Sequence, residues 1–429
     1  MKIKELAFLK VRKMYDTGAL HITMGTFLTK FVAFFGSIVV VRLLSKEDYG
    51  VMGYVENIYS YALILAALGM SNAVLRYLVI AENDREKKQY FDYIIKRSIL
   101  INFFISLILA FGCQIIPIPE NYSATRYLLP ILALLLPFQD LLNDDLYTIR
   151  ACFKNKLYAW TAFLSAAALI AGRIIGAKIA GVEGVLWSRV IINAAVAIVG
   201  FYFVKNTLIV NEKVPELNKE KKRIIDKYSF QYMITNGLWA IFMLNDKFLL
   251  GLLMNDPVGL ADYNVASVLP GNLSIFAMAI GTFVGPYFTK NEKNYEWIRK
   301  NYKRVTLLSA VVVGGVAFTI GILGKPLIRL IYGEQYLNVA MLMNVLLVGA
   351  FFNSGLRFTV ANLLAAMGEV KYNMFISGIG VFLQIALDFL LIPQMGVMAV
   401  AISNCIVLFM MTVELHIVFY FKFYLGKVA

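Results

Sequence analysis

Apolar residues recur in long runs along the whole chain, and polar residues gather in shorter segments between them. Most runs have about 20 residues or more, enough for an α-helix to cross roughly 30 Å of hydrocarbon. They lack the strict alternation of polar and apolar residues that marks the strands of a membrane β-barrel. The pattern therefore predicts an all-α polytopic membrane protein. Its twelve predicted transmembrane helices lie at 19–42, 50–72, 96–116, 126–147, 157–177, 184–204, 229–254, 262–288, 305–324, 338–365, 373–392 and 398–421.

The composition agrees with this interpretation. Of the 429 residues, 60% are hydrophobic and 16% are charged, whereas a soluble domain has about 45–50% and about 25%. A soluble enzyme with one large core is thereby excluded. The first run is not expected to be a cleavable signal peptide, because a polar-rich leader at 1–18 precedes it and the pattern of a cleavage site is missing. The leader has apolar residues at helical spacing, so we expect it to lie on the cytoplasmic membrane surface.

Lysine and arginine residues are distributed unevenly among the predicted loops. Most of the 41 lie in segments that are cytoplasmic if the N-terminus is cytoplasmic, and few lie in the opposite loops. By the positive-inside rule, both termini are predicted to be cytoplasmic. This bias and attraction to anionic lipid account for the net charge of +14. We therefore expect membrane lipids as partners and no nucleic acid.

Residues that usually carry metal or nucleotide chemistry are few. The cysteines and histidines are scattered, and no nucleotide-binding loop, nucleophile elbow or zinc-protease motif is present. We therefore expect no metal site, no cofactor, no enzymatic activity and no ATP-driven transport by this chain alone. The residues concerned are Cys113, Cys152, Cys405, His21 and His416.

The chain repeats itself with a nearly constant offset. The segment LLSKEDYGVMGYV at 43–55 matches LLMNDPVGLADYN at 252–264 in Leu, Leu, an acid, Gly and Tyr, and two shorter pairs share the offset. Six helices per copy make the two copies parallel repeats. In transporters built this way the substrate path lies between the repeats, and access alternates. The predicted parts are a first lobe at 19–204, a cytoplasmic linker at 205–228, a second lobe at 229–421 and a cytoplasmic tail at 422–429.

Three segments carry a resemblance to a known family. They are RLLSKEDYGVMGYVENIYSYALILAALGMSNAVLRY at 42–77, KPLIRLIYGEQYLNVAMLMNVLLVGAFF at 325–352 and LLAAMGEVKYNMFIS at 363–377. Together they resemble the polysaccharide-transporter family, the flippases of O-antigen and other lipid-linked oligosaccharides, within the multidrug/oligosaccharidyl-lipid/polysaccharide exporter superfamily. One departure is Ile331, where the family's Leu-Tyr-Gly-x-x-Tyr pattern has leucine.

The resemblance implies a fold and a cargo. The fold is two six-helix lobes around a central cavity in the bacterial cytoplasmic membrane. The cargo is a polyprenyl-diphosphate-linked oligosaccharide that moves from the inner to the outer leaflet. The polysaccharide polymerase machinery is a further expected partner.

Five basic residues lie inside the predicted spans. A charge at the bilayer centre costs about 2.5–3.5 kcal/mol on the mildest scale, so such residues usually face a bundle interior or a watery cavity. Arginine binds phosphate bidentately and lysine acts as a point charge, so these cations are predicted to line the cavity and hold the diphosphate or an acidic sugar. The residues are Lys30, Lys247, Arg357, Arg189 and Arg173.

Each cation also has a structural alternative. Arg173 and Arg189 lie near the outer ends of their spans and could extend to the outer interface. Lys247 could pair with a structural acid in the bundle. Lys30 and Arg357 lie near the middle of their spans, where a structural role is the alternative to cavity lining.

Acidic residues inside the spans form a second set. Buried carboxylates are candidates for binding a coupling H⁺ or Na⁺, or for a purely structural role. For Asp145 we favour a position at the inner interface beside Arg150. The candidate acids are Asp140 and Asp144, four residues apart on one helix face, together with Asp246 and Asp388.

Two other functions are considered. A cation-coupled drug antiporter of the same superfamily would favour acidic cavity residues, because its cargo is cationic, so the five intramembrane cations count against it. A membrane-embedded polymerase or glycosyltransferase needs a large loop with catalytic residues, and the longest predicted loop, 205–228, has no such motif.

Overall fold

The computed structural model describes residues 19–210, 212–291, 293–367 and 369–425. Every regular element within these ranges is helical, so the predicted all-α class is confirmed. The predicted leader at 1–18 and the last part of the predicted tail, 426–429, lie outside the described residues. The α-helices are α1 Ala19–Leu43, α2 Lys46–Leu65, α3 Met70–Ile80, α4 Asp84–Gly112, α5 Thr125–Ala151, α6 Asn155–Thr207, α7 Lys219–Met254, α8 Pro257–Asn272, α9 Ser274–Lys290, α10 Tyr295–Ile322, α11 Gly324–Tyr332, α12 Ala340–Ala350, α13 Phe358–Ala366, α14 Val370–Met395 and α15 Val397–Tyr420.

Within the described residues, ten helical stretches are long and apolar enough to cross a membrane. Helix α6 counts as one of the ten, although two spans are predicted there, and α7, the predicted seventh span, is not among them. The membrane character of the chain is therefore clear. The number of twelve spans and the cytoplasmic position of the termini stay predictions.

Helix α6 is a hairpin of two helices. Its 53 residues would extend about 80 Å as one straight helix, far beyond the roughly 30 Å of hydrocarbon. The backbone leaves the helical region at Ala180 and Gly181, between the two predicted spans. A Cβ atom on Gly176 would lie 2.1 Å from the backbone oxygen of Gly184, so the two arms touch through glycine. Glycine therefore permits the close packing of these arms.

The second predicted span is interrupted rather than continuous. Helices α2 and α3 meet at Ala67, Leu68 and Gly69, whose φ angles are +47°, +48° and +81°. Positive φ strains residues that carry a Cβ atom. The side chain of Asn102 on α4 accepts a hydrogen bond of 2.6 Å from the backbone nitrogen of Ala67. The neighbouring span thus holds the break in place.

A π-helical segment, Phe351–Arg357, lies between α12 and α13. Such wide turns are rare and occur frequently at functional sites. Arg357, one of the five predicted intramembrane cations, is the last residue of the segment. One predicted cation therefore lies at the end of a wide helical turn.

The chain divides into two compact units, Met1–Ile241 and Phe242–Ala429. The division lies within α7, further along than the predicted linker at 205–228. The physical reason is that the beginning of α7 packs on the first unit: Lys221 contacts Glu86 at 2.5 Å, and Tyr93 donates a 2.7 Å hydrogen bond to Asp226. Of the described residues of the predicted linker, 208–210 and 212–218 lie outside the helices, so much of that linker is helical.

Candidate functional site

Lys30 is exposed on the first unit. Helix α1 packs on α6 through two glycines: a Cβ atom on Gly25 would lie 2.7 Å from the Cβ of Ala159, and one on Gly36 would lie 2.0 Å from Ile170. At 100° per residue, Lys30 is turned about 120–140° away from both glycines. The close packing of α1 on α6 therefore directs this lysine outwards, where its side chain is exposed.

Arg173 and Arg189 contact the same carboxylate. Glu56 on α2 lies 2.6 Å from Arg189 and 3.4 Å from Arg173. The two arginines lie on opposite arms of the α6 hairpin at similar distances from its turn at 180–181, which brings them to the same depth. All three side chains are partly buried, with exposed fractions of 17–32%. The cluster keeps a net charge of +1, so it can still attract an anion.

Asp140 is the centre of a buried polar cluster in the first unit. Its carboxylate accepts hydrogen bonds from Ser71 at 2.7 Å, Ser98 at 2.9 Å and Asn102 at 2.5 Å. Ser98 also lies 3.1 Å from the carboxylate of Asp144. Asn102 is the residue that holds the backbone at the α2–α3 break. The cluster thus links a pair of carboxylates to the break in the second span.

Among the described residues, Asp145 forms no hydrogen bond with Arg150, and its position at the inner interface stays a prediction. The residue is 1% exposed and lies against α6, where a Cβ atom on Gly200 would be 2.6 Å from its Oδ2 atom. Arg150 instead lies over the ring of Tyr158. Within the described residues, neither carboxylate oxygen of Asp145 has a hydrogen-bond partner. The sequence could not show that α6 covers this face of α5.

A second pair of carboxylates lies inside the second unit. Asp246 accepts hydrogen bonds from Tyr263 at 2.7 Å and from Asn404 at 3.2 Å. Asp388 accepts one from Ser403 and two of 3.2 Å from Gln384. Both carboxylates are buried, with exposed fractions of 5% and 0%. The cluster is rich in oxygen atoms, although no group of three or more His, Cys, Asp or Glu residues in the described part of the chain is arranged to hold a metal ion.

Arg357 is buried in the second unit. Its side chain is 3% exposed and donates hydrogen bonds to Asn353 and Asn373 at 3.1 Å and to Ser377 at 2.8 Å. Lys247 on α7 is half-buried. The five predicted cations therefore occupy different environments: Lys30 is exposed, Lys247 and the arginine pair are partly covered, and Arg357 is enclosed.

The polar partners of these charged residues were not predicted. Ser98, Asn102 and Ser106 stand at four-residue intervals in the apolar second half of α4, and all three are buried. Such spacing places them on one helix face, which is a sequence signal for a polar contact with another span. Glu56 has no comparable signal, because nothing in the local sequence shows that two distant arginines reach it.

Solved structures of two membrane proteins have a fold similar to that of this chain. By fold, the chain is similar to the lipid II flippase MurJ in an inward closed conformation, with a TM-score of 0.72 and 16% identity over 95% of this chain and 90% of that one. It is also similar to an inward-facing multidrug resistance transporter of the MATE family in the MOP superfamily, with a TM-score of 0.69 and 13% identity over 92% and 95%. At these identities the similarity shows the fold, which is that of the MOP transporters.

The sequence matches the family of polysaccharide biosynthesis proteins over residues 39–341, and the chain belongs to this family. The expected membership of the polysaccharide-transporter family is thereby confirmed, and the chain is a membrane transport protein rather than an enzyme.

Two relatives are similar in sequence. The uncharacterized membrane protein MJ1068 of Methanocaldococcus jannaschii is 25% identical over 420 aligned residues, 90% of this chain and 80% of that one. A candidate O-antigen transporter of Shigella flexneri is 27% identical over 227 residues, 52% of each chain.

Proposed function

We propose that this protein carries a polyprenyl-diphosphate-linked oligosaccharide from the inner to the outer leaflet of a bacterial cytoplasmic membrane, for the synthesis of a surface polysaccharide. The observation that carries the proposal is the exposed Lys30 in the middle of the first span, in a chain of the polysaccharide biosynthesis family. An exposed lysine at this depth is costly in hydrocarbon, but it suits a watery path for an anionic cargo. The relative named as a candidate O-antigen transporter supports the same class of cargo.

The mechanism we propose is alternating access between the two lobes. The cargo enters from the cytoplasmic side, and Lys30 attracts its diphosphate. Lys247 and the pair Arg173 and Arg189, which keeps net positive charge beside Glu56, provide further attraction along the path. Arg357 joins the path only when the second lobe rearranges, because its guanidinium is enclosed in the present state.

The coupling ion binds at one of the two buried carboxylate pairs in this proposal. A serine hydroxyl has one proton to donate, yet Ser98 lies within hydrogen-bond distance of both Asp140 and Asp144. A proton on Asp144 satisfies both contacts, because Asp144 then donates to Ser98 and Ser98 donates to Asp140. The oxygen atoms around Asp246 and Asp388 offer the alternative, a site for H⁺ or Na⁺ in the second lobe.

The test uses cells that lack the gene but retain the earlier enzymes of glycan assembly. Lipid extracts are analysed for the polyprenyl-diphosphate oligosaccharide, and a labelling reagent that does not cross membranes reports its leaflet. We expect accumulation in the inner leaflet that the wild-type gene relieves. The triple variant Lys30→Gln, Lys247→Gln, Arg357→Gln should fail to relieve it.

The matched control neutralises three exposed lysines at other positions, Lys178→Gln, Lys213→Gln and Lys300→Gln, and should behave as the wild type. Both triple variants must reach the membrane in equal amounts. Normal outer-leaflet cargo in the deletion strain, in cells without a second flippase, would refute the proposed cargo.

A further inference from the structure

Helix α1 carries a continuous row of exposed aromatic rings. Phe27, Phe31 and Phe35 recur every four residues and are 61%, 50% and 50% exposed. Neighbouring rings touch, with centroids 6.1 Å apart for the first pair and 4.4 Å for the second. Phe34 stands perpendicular to Phe35 at 5.3 Å and widens the row on one side. We call Phe27, Phe31 and Phe35 the aromatic row.

Lys30 lies beside this row. It follows Phe27 by three residues, so the two side chains are neighbours on the helix surface. Phe31 and Phe35 lie about 100° and 140° further round the helix from Lys30. Lys30 and the three rings of the row are exposed. The row and the lysine therefore meet at Phe27, on the exposed side of α1.

Contact of this surface with hydrocarbon would be unfavourable, because it contains a lysine. A lysine in mid-span that faced lipid would have to bend towards a distant interface or cost several kcal/mol, roughly 2.5–3.5 on the mildest scale. Helix α4 provides the contrast within the same unit: from Ser98 to Gly112 its exposed side chains, among them Phe103 and Phe104, are accompanied by no charged residue. The exposed face of α4 has the composition of a lipid-facing surface, and that of α1 does not.

Rings and a cation together fit a sugar that bears a phosphate. One face of a pyranose ring presents C–H groups, which pack on the negative face of an aromatic ring, and an ammonium group pairs with a phosphate oxygen. Ring planes at intervals of about one sugar unit offer successive contacts to an oligosaccharide. An acyl chain would use the rings but gain nothing from the lysine, and a protein helix would have to bury the lysine against an acid.

We propose that the aromatic row and Lys30 form the subsite for the glycan of the cargo: sugar rings pack on Phe27, Phe31 and Phe35, and Lys30 pairs with the phosphate that carries the first sugar. The inference rests on the proposed function and deepens it. It assigns the recognition of sugar to ring faces and the recognition of phosphate to Lys30.

The first experiment uses a photo-crosslinking benzoyl-phenylalanine at position 31 of the full chain, in the deletion strain. The probe is the accumulated lipid-linked oligosaccharide, labelled with a radioactive sugar. We expect radioactive adducts from position 31 and none from the matched position 104 on α4. Adducts from position 31 that contain only phospholipid, or only a second copy of the chain, would overturn the inference.

The second experiment measures the rate at which cargo reaches the outer leaflet. The triple variant Phe27→Leu, Phe31→Leu, Phe35→Leu keeps apolar bulk but removes the ring faces, and we expect a fall of about tenfold. Tyrosine at the same three positions should restore the rate, because it keeps the rings. The control Phe103→Leu, Phe104→Leu should match the wild type.

These outcomes separate the inference from the proposed function. If the deletion strain accumulates no cargo, the proposed function fails, whatever the row does. If the wild-type gene relieves accumulation and the triple leucine variant does so at the same rate, the proposed function stands and the subsite is wrong.

Discussion

Glu56 of α2 and Arg189 of α6 form an ion pair of 2.6 Å, and Arg173, on the other arm of the same hairpin, approaches the same carboxylate oxygen at 3.4 Å. The two arginines are 16 positions apart in sequence and meet because the backbone reverses at Ala180 and Gly181. The contact ties the second span to both arms of the α6 hairpin. One acid thus balances part of the charge of two predicted cavity cations.

Neutralisation of Glu56 should make the first unit less stable. We expect Glu56→Gln to lower the free energy of unfolding by about 1–2 kcal/mol, between the values for exposed and for buried pairs, because the cluster is partly exposed. Thermal unfolding in detergent measures the change. The exposed acid Glu183 provides the matched control, and Glu183→Gln should leave the melting temperature unchanged. Equal effects of Glu56→Gln in the wild type and in an Arg173→Gln, Arg189→Gln background would contradict the pairing.

Asp144→Asn tests proton coupling in the first unit. The amide resembles the protonated acid, so the protein should fold and reach the membrane, while cargo transport loses its response to an imposed pH gradient. Transport into the outer leaflet is followed at several external pH values. The control Glu296→Gln changes an exposed acid and should keep the wild-type response. An unchanged pH response in Asp144→Asn would place coupling elsewhere.

Asp388→Asn tests the carboxylate pair of the second unit. If Na⁺ binds there, Na⁺ added in place of K⁺ should raise the melting temperature of the wild type, since a ligand that binds only the folded state stabilises it in proportion to RT ln(1 + [Na⁺]/Kd). The rise should disappear in Asp388→Asn. If the melting temperature of the wild type is the same in Na⁺ and K⁺ but changes with pH, the site binds protons instead. A Na⁺ effect that persists in the variant would exclude the site.

The close contact between Gly176 and Gly184 within α6 should limit the size of the side chain at position 176. Alanine at Gly176 would place its Cβ atom 2.1 Å from the backbone oxygen of Gly184, so the arms must separate. We expect Gly176→Ala to cost about 1–3 kcal/mol of stability. A Cβ atom on Gly315 of α10 would lie in open space, so Gly315→Ala should be neutral or slightly stabilising. Unfolding of both variants at the same temperature would show that the hairpin is not closely packed.

Hydropathy and the lengths of the apolar runs were sufficient to predict the class of this protein. Runs of about 20 apolar residues require helices in lipid, because only a helix satisfies its own backbone groups there. The break near 180–181 lies between two predicted spans for the same reason, since one helix of 53 residues is too long for a bilayer. Family resemblance was also visible in sequence, because it depends on the residues alone and the match to 39–341 confirms it.

The pairing of charged side chains depends on how distant helices pack. Glu56 pairs with residues 117 and 133 positions away, and no local pattern encodes such a contact. Asp145 is covered by α6, because helix packing and not hydropathy sets which face is buried. The exposure of Lys30 and the burial of Arg357 differ for the same reason. Periodicity shows that a charge lies within a span, whereas the neighbouring helices determine whether it faces a partner or open space.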